Sequence, residues 1–335
     1  MKLISKTLLA AASLYALSWS PADAAEALVA PQTKAGVLIG ASAGVPPPGI
    51  YMFNQVFTYQ SNLTGPGTTT ALGGSTKTGV QAAVDVQGFL FVPGWTFLGA
   101  TYDAVLAQPF VMANFGNPID EQQAGMHNTY IVPAELSWKL ADSGFVVKTG
   151  LGIYTPDGTV TGPNGTGSVG SAFWTFQPEV IISYLKDGWN LSAAIYEEFN
   201  TRSTVSQYKS GDILHADFTA TKTIGKWTFG PVAYYEGQVS NDSCSVNCGY
   251  TTGTLLNAQR FNVWAVGALV AYDFGPAALS VWATQEVSAK ASNAAAIAAT
   301  GTDESLVTQG TTVFATLSYR LWAPDAPVQT SMYHK

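Results

Sequence analysis

Charge is scarce in this sequence. Only 11% of its 335 residues are Asp, Glu, Lys or Arg, against about a quarter in ordinary soluble domains. The charge that is present leans acidic, with 15 basic and 22 acidic side chains, so there is no basic patch to engage nucleic acid. Cysteine is nearly absent. Cys244 and Cys248 stand alone, too few for any familiar metal site. Histidine is limited to His127, His215 and His334. The glycines between Gly162 and Gly170 lack the strand-to-helix setting of a phosphate loop, so no cofactor is expected. Past the first two dozen residues, no stretch approaches the roughly 18 uninterrupted apolar residues of a membrane helix. Yet 47% of the chain is hydrophobic and 12% aromatic, which is too apolar for disorder.

Met1 to Ala24 reads as a secretory signal peptide. Lys2 and Lys6 give a positive start, Leu8 to Leu17 an apolar stretch, and Ala22-Asp23-Ala24 a small-x-small cleavage site. Its removal leaves 13 basic and 21 acidic side chains, net −8. An exported chain this apolar, without a spanning helix, is either a secreted all-β domain or a barrel in an outer membrane. Two cysteines in an exported chain suit a disulfide, here Cys244–Cys248. Residues 25–48 form an irregular N-terminal arm ending in Pro46-Pro47-Pro48; in a small barrel this arm or the long loops are candidate plugs of the lumen.

Beyond the arm the chain is written with a period of two. Such alternation over about ten residues gives a strand with one apolar and one wet face. Turn signals and alternation predict strands near 50–60, 79–91, 96–107, 128–140, 145–155, 172–185, 188–199, 212–223, 226–239, 260–274, 277–289 and 311–322. That is twelve, an even number, as in single-chain bacterial barrels. Short turns such as Pro93-Gly94 and Gly275-Pro276 alternate strictly with long polar loops. A soluble sandwich has no reason to keep that alternation. The pattern predicts an all-β fold: a transmembrane antiparallel up-and-down β-barrel over residues 49–322. Its short turns would face the periplasm and its long loops the exterior, in the outer membrane of a Gram-negative bacterium, with a tail over 323–335. Its partners would be outer-membrane lipids and the outer-membrane assembly machinery.

The parities assign faces. Val80, Ala82, Val84, Val86 and Leu90 read as lipid-facing, with Gln81, Asp85 and Gln87 inward. Val132, Ala134, Leu136 and Trp138 oppose Glu135 and Lys139; Phe176, Val180 and Ile182 oppose Gln177 and Glu179. The lumen-lining candidates are Asp85, Asp103, Glu135, Glu179, Glu198, Asp217, Glu236 and Glu286, with Lys139, Lys148 and Arg320 as cations and His215 beside Asp217. This acidic excess would give an open pore a weak cation preference. His215 with Asp217 is an acid–base pair on paper, and outer-membrane phospholipases also have twelve strands. They need a serine beside the histidine, however, and no motif supplies one. A polar lumen lining is the simpler reading.

Several segments resemble the meta-pathway phenol-degradation family of outer-membrane proteins: Gly49-Ile50-Tyr51, Leu136-Ser137-Trp138, Gly152-Ile153-Tyr154-Thr155-Pro156-Asp157-Gly158, Tyr208-Lys209-Ser210-Gly211 and Gly230-Pro231-Val232-Ala233-Tyr234-Tyr235. Their order and spacing carry the resemblance, which spans roughly residues 49 to 322. It implies a transporter-like barrel linked to aromatic degradation, and so a non-enzymatic channel for passive uptake of a small hydrophobic or aromatic solute. The alternatives are an outer-membrane lipid hydrolase and a structural or adhesive barrel acting through its loops.

Overall fold

The computed structural model of the chain describes residues 31–70, 79–116, 121–161, 168–244, 259–294, 297, 301–303 and 305–324. The signal peptide, Cys248 and the tail from 325 onward, with His334, lie outside the described residues. The expected disulfide and most of the tail therefore do too.

The alternating segments form twelve wall strands: β1 (Gly49–Thr64), β2 (Val80–Val92), β3 (Ala100–Phe115), β4 (Tyr130–Lys139), β5 (Phe145–Tyr154), β6 (Thr175–Tyr184), β7 (Trp189–Asn200), β8 (Ile213–Ile224), β9 (Trp227–Gln238), β10 (Gln259–Asp273), β11 (Ala277–Asn293) and β12 (Val307–Trp322). Each pairs antiparallel with its neighbours in sequence. β1 also pairs with β12, with Phe57 opposite Phe314. The sheet is thus closed, and no row of N–H and C=O groups is left unpaired in hydrocarbon. Lengths of 10 to 17 residues meet the roughly 9–11 that a tilted strand needs to cross a bilayer.

The short connections all lie at one rim. The β6–β7 turn carries Asp187 and Gly188 at φ 54° and 75°. Positive φ at both central residues is the primed turn that matches strand twist. At the opposite rim the wall is taller than expected. β3 runs on to Phe115, and a short strand, Glu121–Met126, folds back on its end. Tyr208–Lys209 pairs with Ser243–Cys244 in a small separate sheet of the loops. A single helical turn, Gly67–Thr70, follows β1.

The outward face is apolar over most of the wall, with Phe176, Val180, Ile182, Ile195, Trp264, Val270, Val313 and Leu317 all exposed. That is the lipid-facing band expected of such a barrel. One parity slips. The ladder between β4 and β5 is interrupted between Ile131 and Glu135, at Pro133, which has no N–H to give it. The bulge turns both Val132 and Glu135 inward, where both are buried. Val132 therefore faces the lumen and not, as its spacing suggested, the side of Leu136.

Candidate functional site

The chain's own N-terminal arm lies inside the lumen. Residues 31–44 thread through it and dock on the inner face of β6 to β11. Successive turns satisfy the N–H groups of Val37, Ile39 and Ala41 within the arm, and the wall supplies acceptors for others. Glu198 on β7 accepts from the N–H groups of Gln32 (3.0 Å) and Thr33 (2.8 Å). Asp217 on β8 accepts from Gly36 (2.9 Å) and Leu38 (3.0 Å). Glu236 accepts from Ala35, Thr219 from Gly40 and Ser183 from Ala43. Lys34 ends 3.0 Å from Glu286, over the rings of Tyr59 and Tyr234. Gly36 has φ +94°, and an added Cβ there would sit 3.0 Å from the Tyr234 ring, so only glycine fits this bend. Ala35 and Ile39 complete an apolar cluster with Phe57, Tyr234, Trp282 and Phe314.

The space beside the arm is a cavity of about 590 Å³. Val80, Ala82, Val84, Val86 and Leu90 of β2 and Val105, Ala107, Val111 and Phe115 of β3 line one side. Tyr130, Tyr154, His127, Gln177, Glu135, Lys148 and Glu179 line the other. Tyr130 and Tyr154 pack with ring centroids 4.6 Å apart, and His127 meets Tyr154 edge-on. Lys148 lies 3.0 Å from Asp103 and 2.9 Å from Glu135. Burial lowers the pKa of His127, which sits in the loop before β4, and so favours its neutral form.

The comparisons with known proteins agree with this architecture. Residues 60–300 match the model of a family described as "Putative MetA-pathway of phenol degradation". The chain belongs to this family. The COG4313 outer membrane channel from Pseudomonas putida F1 superposes on 83% of this chain and 98% of its own, with a TM-score of 0.62 at 9% identity. That identity establishes a shared fold. The toluene transporter TodX of the same organism aligns with 90% of this chain and 96% of its own, with a TM-score of 0.38 at 9% identity. No sequence among curated proteins matches. A closed twelve-strand barrel of this family is a Gram-negative outer-membrane protein.

Within the family barrel, the sequence-predicted residues fall into four groups. Glu198, Asp217, Glu236 and Glu286 hold the arm. His215 lies beside them: its ring stacks on Tyr196 at 4.7 Å and its Nε2 lies 3.2 Å from Glu198. Asp103, Glu135 and Lys148 form the ion cluster, and Glu179 lines the cavity beside it. Lys139 and Arg320 are exposed at the short-turn rim, where Arg320 donates to the Pro48 carbonyl and lies over the Tyr51 ring. Asp85 does not face the lumen. It stands directly opposite Val56 and Phe110, both exposed on the outer surface, and cross-strand partners share a face. Asn54 donates to it at 2.5 Å. The whole of β2 is turned over relative to the expectation: Val84 and Val86 pack on the interior cluster around the arm. The reason is that this sector of the lumen is apolar, so polarity no longer marks the inside.

The arm lies in the lumen, as the plug expectation has it, and pairs there with the lumen carboxylates; sequence reasoning missed how it attaches and the Tyr130–Tyr154–His127 group. The arm binds mainly through backbone N–H groups, which no side-chain pattern displays. A usable signal for the tyrosines was Gly150 and Gly152, two inward positions of β5 without side chains.

Proposed function

We propose that the chain is an outer-membrane channel for passive uptake of small hydrophobic or aromatic molecules. The observation that carries this reading is the apolar inner face of β2 and β3, which borders a cavity of about 590 Å³ inside a closed wall. Ligand sites commonly span about 300–1,000 Å³ with mostly apolar linings, and a cavity of roughly 150 Å³ already admits benzene. The family's description, phenol degradation, points to the same class of solute. The hydrolase alternative gains nothing from the geometry. Among the described residues no serine hydroxyl bonds either His127 or His215, whose ring nitrogens contact Glu198 and Glu236.

The test is permeation of toluene into proteoliposomes holding the purified full chain, beside the Val84→Arg variant. Val84→Arg places a cation in the apolar conduit, and toluene entry should fall to the protein-free rate. Equal entry with and without protein would refute the channel reading. A serine-directed inhibitor that labels the protein and blocks lipid hydrolysis would establish the alternative.

A further inference from the structure

Two glycines, Gly88 of β2 and Gly152 of β5, face the lumen from inside their strands. Neither takes a positive φ, so the backbone itself does not call for glycine at either place. At Gly230, Gly267 and Gly310 a carbonyl of the neighbouring strand occupies the space that a Cβ would need. At Gly88 and Gly152 an aromatic ring of the lumen occupies it. A Cβ on Gly88 would lie 2.5 Å from Phe53 Cε1 and nearer still to Cζ and Cε2. One on Gly152 would lie 2.5 Å from Tyr130 Cε2 and 2.7 Å from Cζ. Phe53 and Gly88 are direct cross-strand partners, so they share the inner face, where Phe53 lines the cavity. Its ring leans from β1 across β2, with the tip over Gly88. The same rung of the sheet continues through Ala107 of β3 to Tyr130 of β4, both of which line the cavity. Two rings thus stand on one rung with only Gly88 and Ala107 between them, and each is folded back onto a glycine.

We propose that Gly88 sets the bore of the conduit: it is a notch that stows the Phe53 ring, and how far that ring lies back fixes the width of solute that passes the short-turn half of the barrel. The inference rests on the channel reading above and names what limits the size of its solute. Gly88 is a positioning residue that acts through Phe53. Phe53 lies near the start of β1, and Pro46, three residues before that strand, lines the cavity as well. The ring therefore stands where the arm returns to the wall and leaves the least room. Carbon atoms in contact stay about 3.5–4.0 Å apart, so a methyl group on Gly88 drives the ring tip off the wall by about 1 Å or more. Val86 and Leu90 take the places on either side of Gly88 along β2 and line the cavity too, so the displaced ring turns into the open space. The group that moves is the end of a side chain with two rotatable bonds, so the wall itself keeps its ladder.

The experiment compares toluene with the wider mesitylene. Entry is read by the proteoliposome assay, and binding to the detergent-solubilised full chain by saturation-transfer NMR. Gly88→Ala should slow mesitylene entry by about tenfold and toluene entry by less. Gly88→Ala/Phe53→Ala, which removes the displaced ring, should regain the wild-type rate for both. Phe53→Trp leaves the glycine in place and overfills its notch, and should also slow mesitylene more than toluene. Binding of the two solutes should follow the same order across the variants. Wild-type entry and binding of mesitylene in a folded, heat-modifiable Gly88→Ala overturns the proposal. So does a loss that Phe53→Ala fails to restore, since the glycine would then serve the wall and not the ring. Binding that follows the expected order, with no entry of either solute through the wild type, would uphold the notch and refute the channel.

Discussion

The arm's hold on the lumen can be broken at one residue. Asp217→Ala removes the acceptor of two backbone N–H groups, those of Gly36 and Leu38 at 2.9 and 3.0 Å. Each loses a charge-assisted bond inside the barrel, and an unsatisfied buried donor costs about 1–3 kcal/mol. The two together weaken docking by about 2–6 kcal/mol. Glu198 still holds Gln32 and Thr33, and Trp282 still donates to the Gly36 carbonyl at 3.1 Å. Ordering each arm residue costs about 1–2 kcal/mol, so the surplus that keeps the arm docked is small compared with the bonds being cut. In a background with Cys244 and Cys248 replaced by serine, a Val37→Cys probe reports release of the arm to a water-soluble thiol reagent. Asp217→Ala should speed its modification by between about thirtyfold and about twenty-thousandfold and raise single-channel conductance toward that of a chain lacking residues 31–44. Asp217→Asn, which keeps an acceptor oxygen, should fall between. Wild-type labelling and conductance in Asp217→Ala would refute the account of how the arm is held.

Ala83→Arg puts a cation on the lipid face of β2 and should cost about 2–4 kcal/mol in urea unfolding from lipid vesicles, whereas Val84→Arg should stay folded and heat-modifiable; the opposite order would mean that β2 faces the other way. Lys148→Met strands Asp103 and Glu135 without their shared partner and should lower stability by about 3–5 kcal/mol, with part recovered in the Lys148→Met/Asp103→Leu double variant. Asp242, in the loop after β9, accepts from Tyr208 Oη, Gly211 N and Gln238 Nε2, yet its burial raises its pKa from 3.8 to about 7. The closed loop thus binds a proton that an open loop releases. Closure is strongest below pH 3.8 and weakens as pH rises to about 7. Limited proteolysis near residue 242 should accelerate across that range in the wild type and stay flat in Asp242→Asn.

The strand count and the two rims were legible because turn chemistry and period-two alternation are local properties, written wherever a strand ends. The inward positions on β6 to β9 were legible for a related reason. Gln177, Glu179, Glu198, Asp217 and Glu236 alternate with residues that lipid tolerates, so only one assignment of faces avoids charge in hydrocarbon. β2 defeated the same logic. Its even positions are all apolar or glycine, and its odd positions mix Gln81, Asp85 and Gln87 with Ala83, Phe89 and Phe91. A rule that equates polar with inward can only invert such a strand when the adjoining lumen is itself apolar. The apolar lumen in turn depends on an arm far away in sequence, whose attachment through main-chain N–H groups leaves no residue signature. β1 gave a partial warning: Phe53, Gln55, Phe57 and Tyr59 point inward as a mostly aromatic row, opposite Asn54 and Thr58.

The division of the lumen follows from what each half must satisfy. An irregular backbone inside a barrel carries donors that need acceptors, and buried carboxylates need donors. β7, β8 and β9 bring Glu198, Asp217 and Glu236, and the arm brings its N–H groups, so each removes the other's desolvation problem. On that side Lys34 pairs with Glu286 and His215 lies beside Glu198 and Glu236, and backbone N–H groups supply the other bonds to Glu198, Asp217 and Glu236. Counting strand charges therefore overstates the field that a solute meets. Of the eight carboxylates read as inward from sequence, four are engaged by the arm, Asp103 and Glu135 by Lys148, and Asp85 lies outside. Glu179, the eighth, is buried beside Glu135 in the wall of the cavity. The apolar half has no donors to satisfy and no charge to hold, so it stays unfilled. The cavity is thus the sector where the wall asks nothing of the arm.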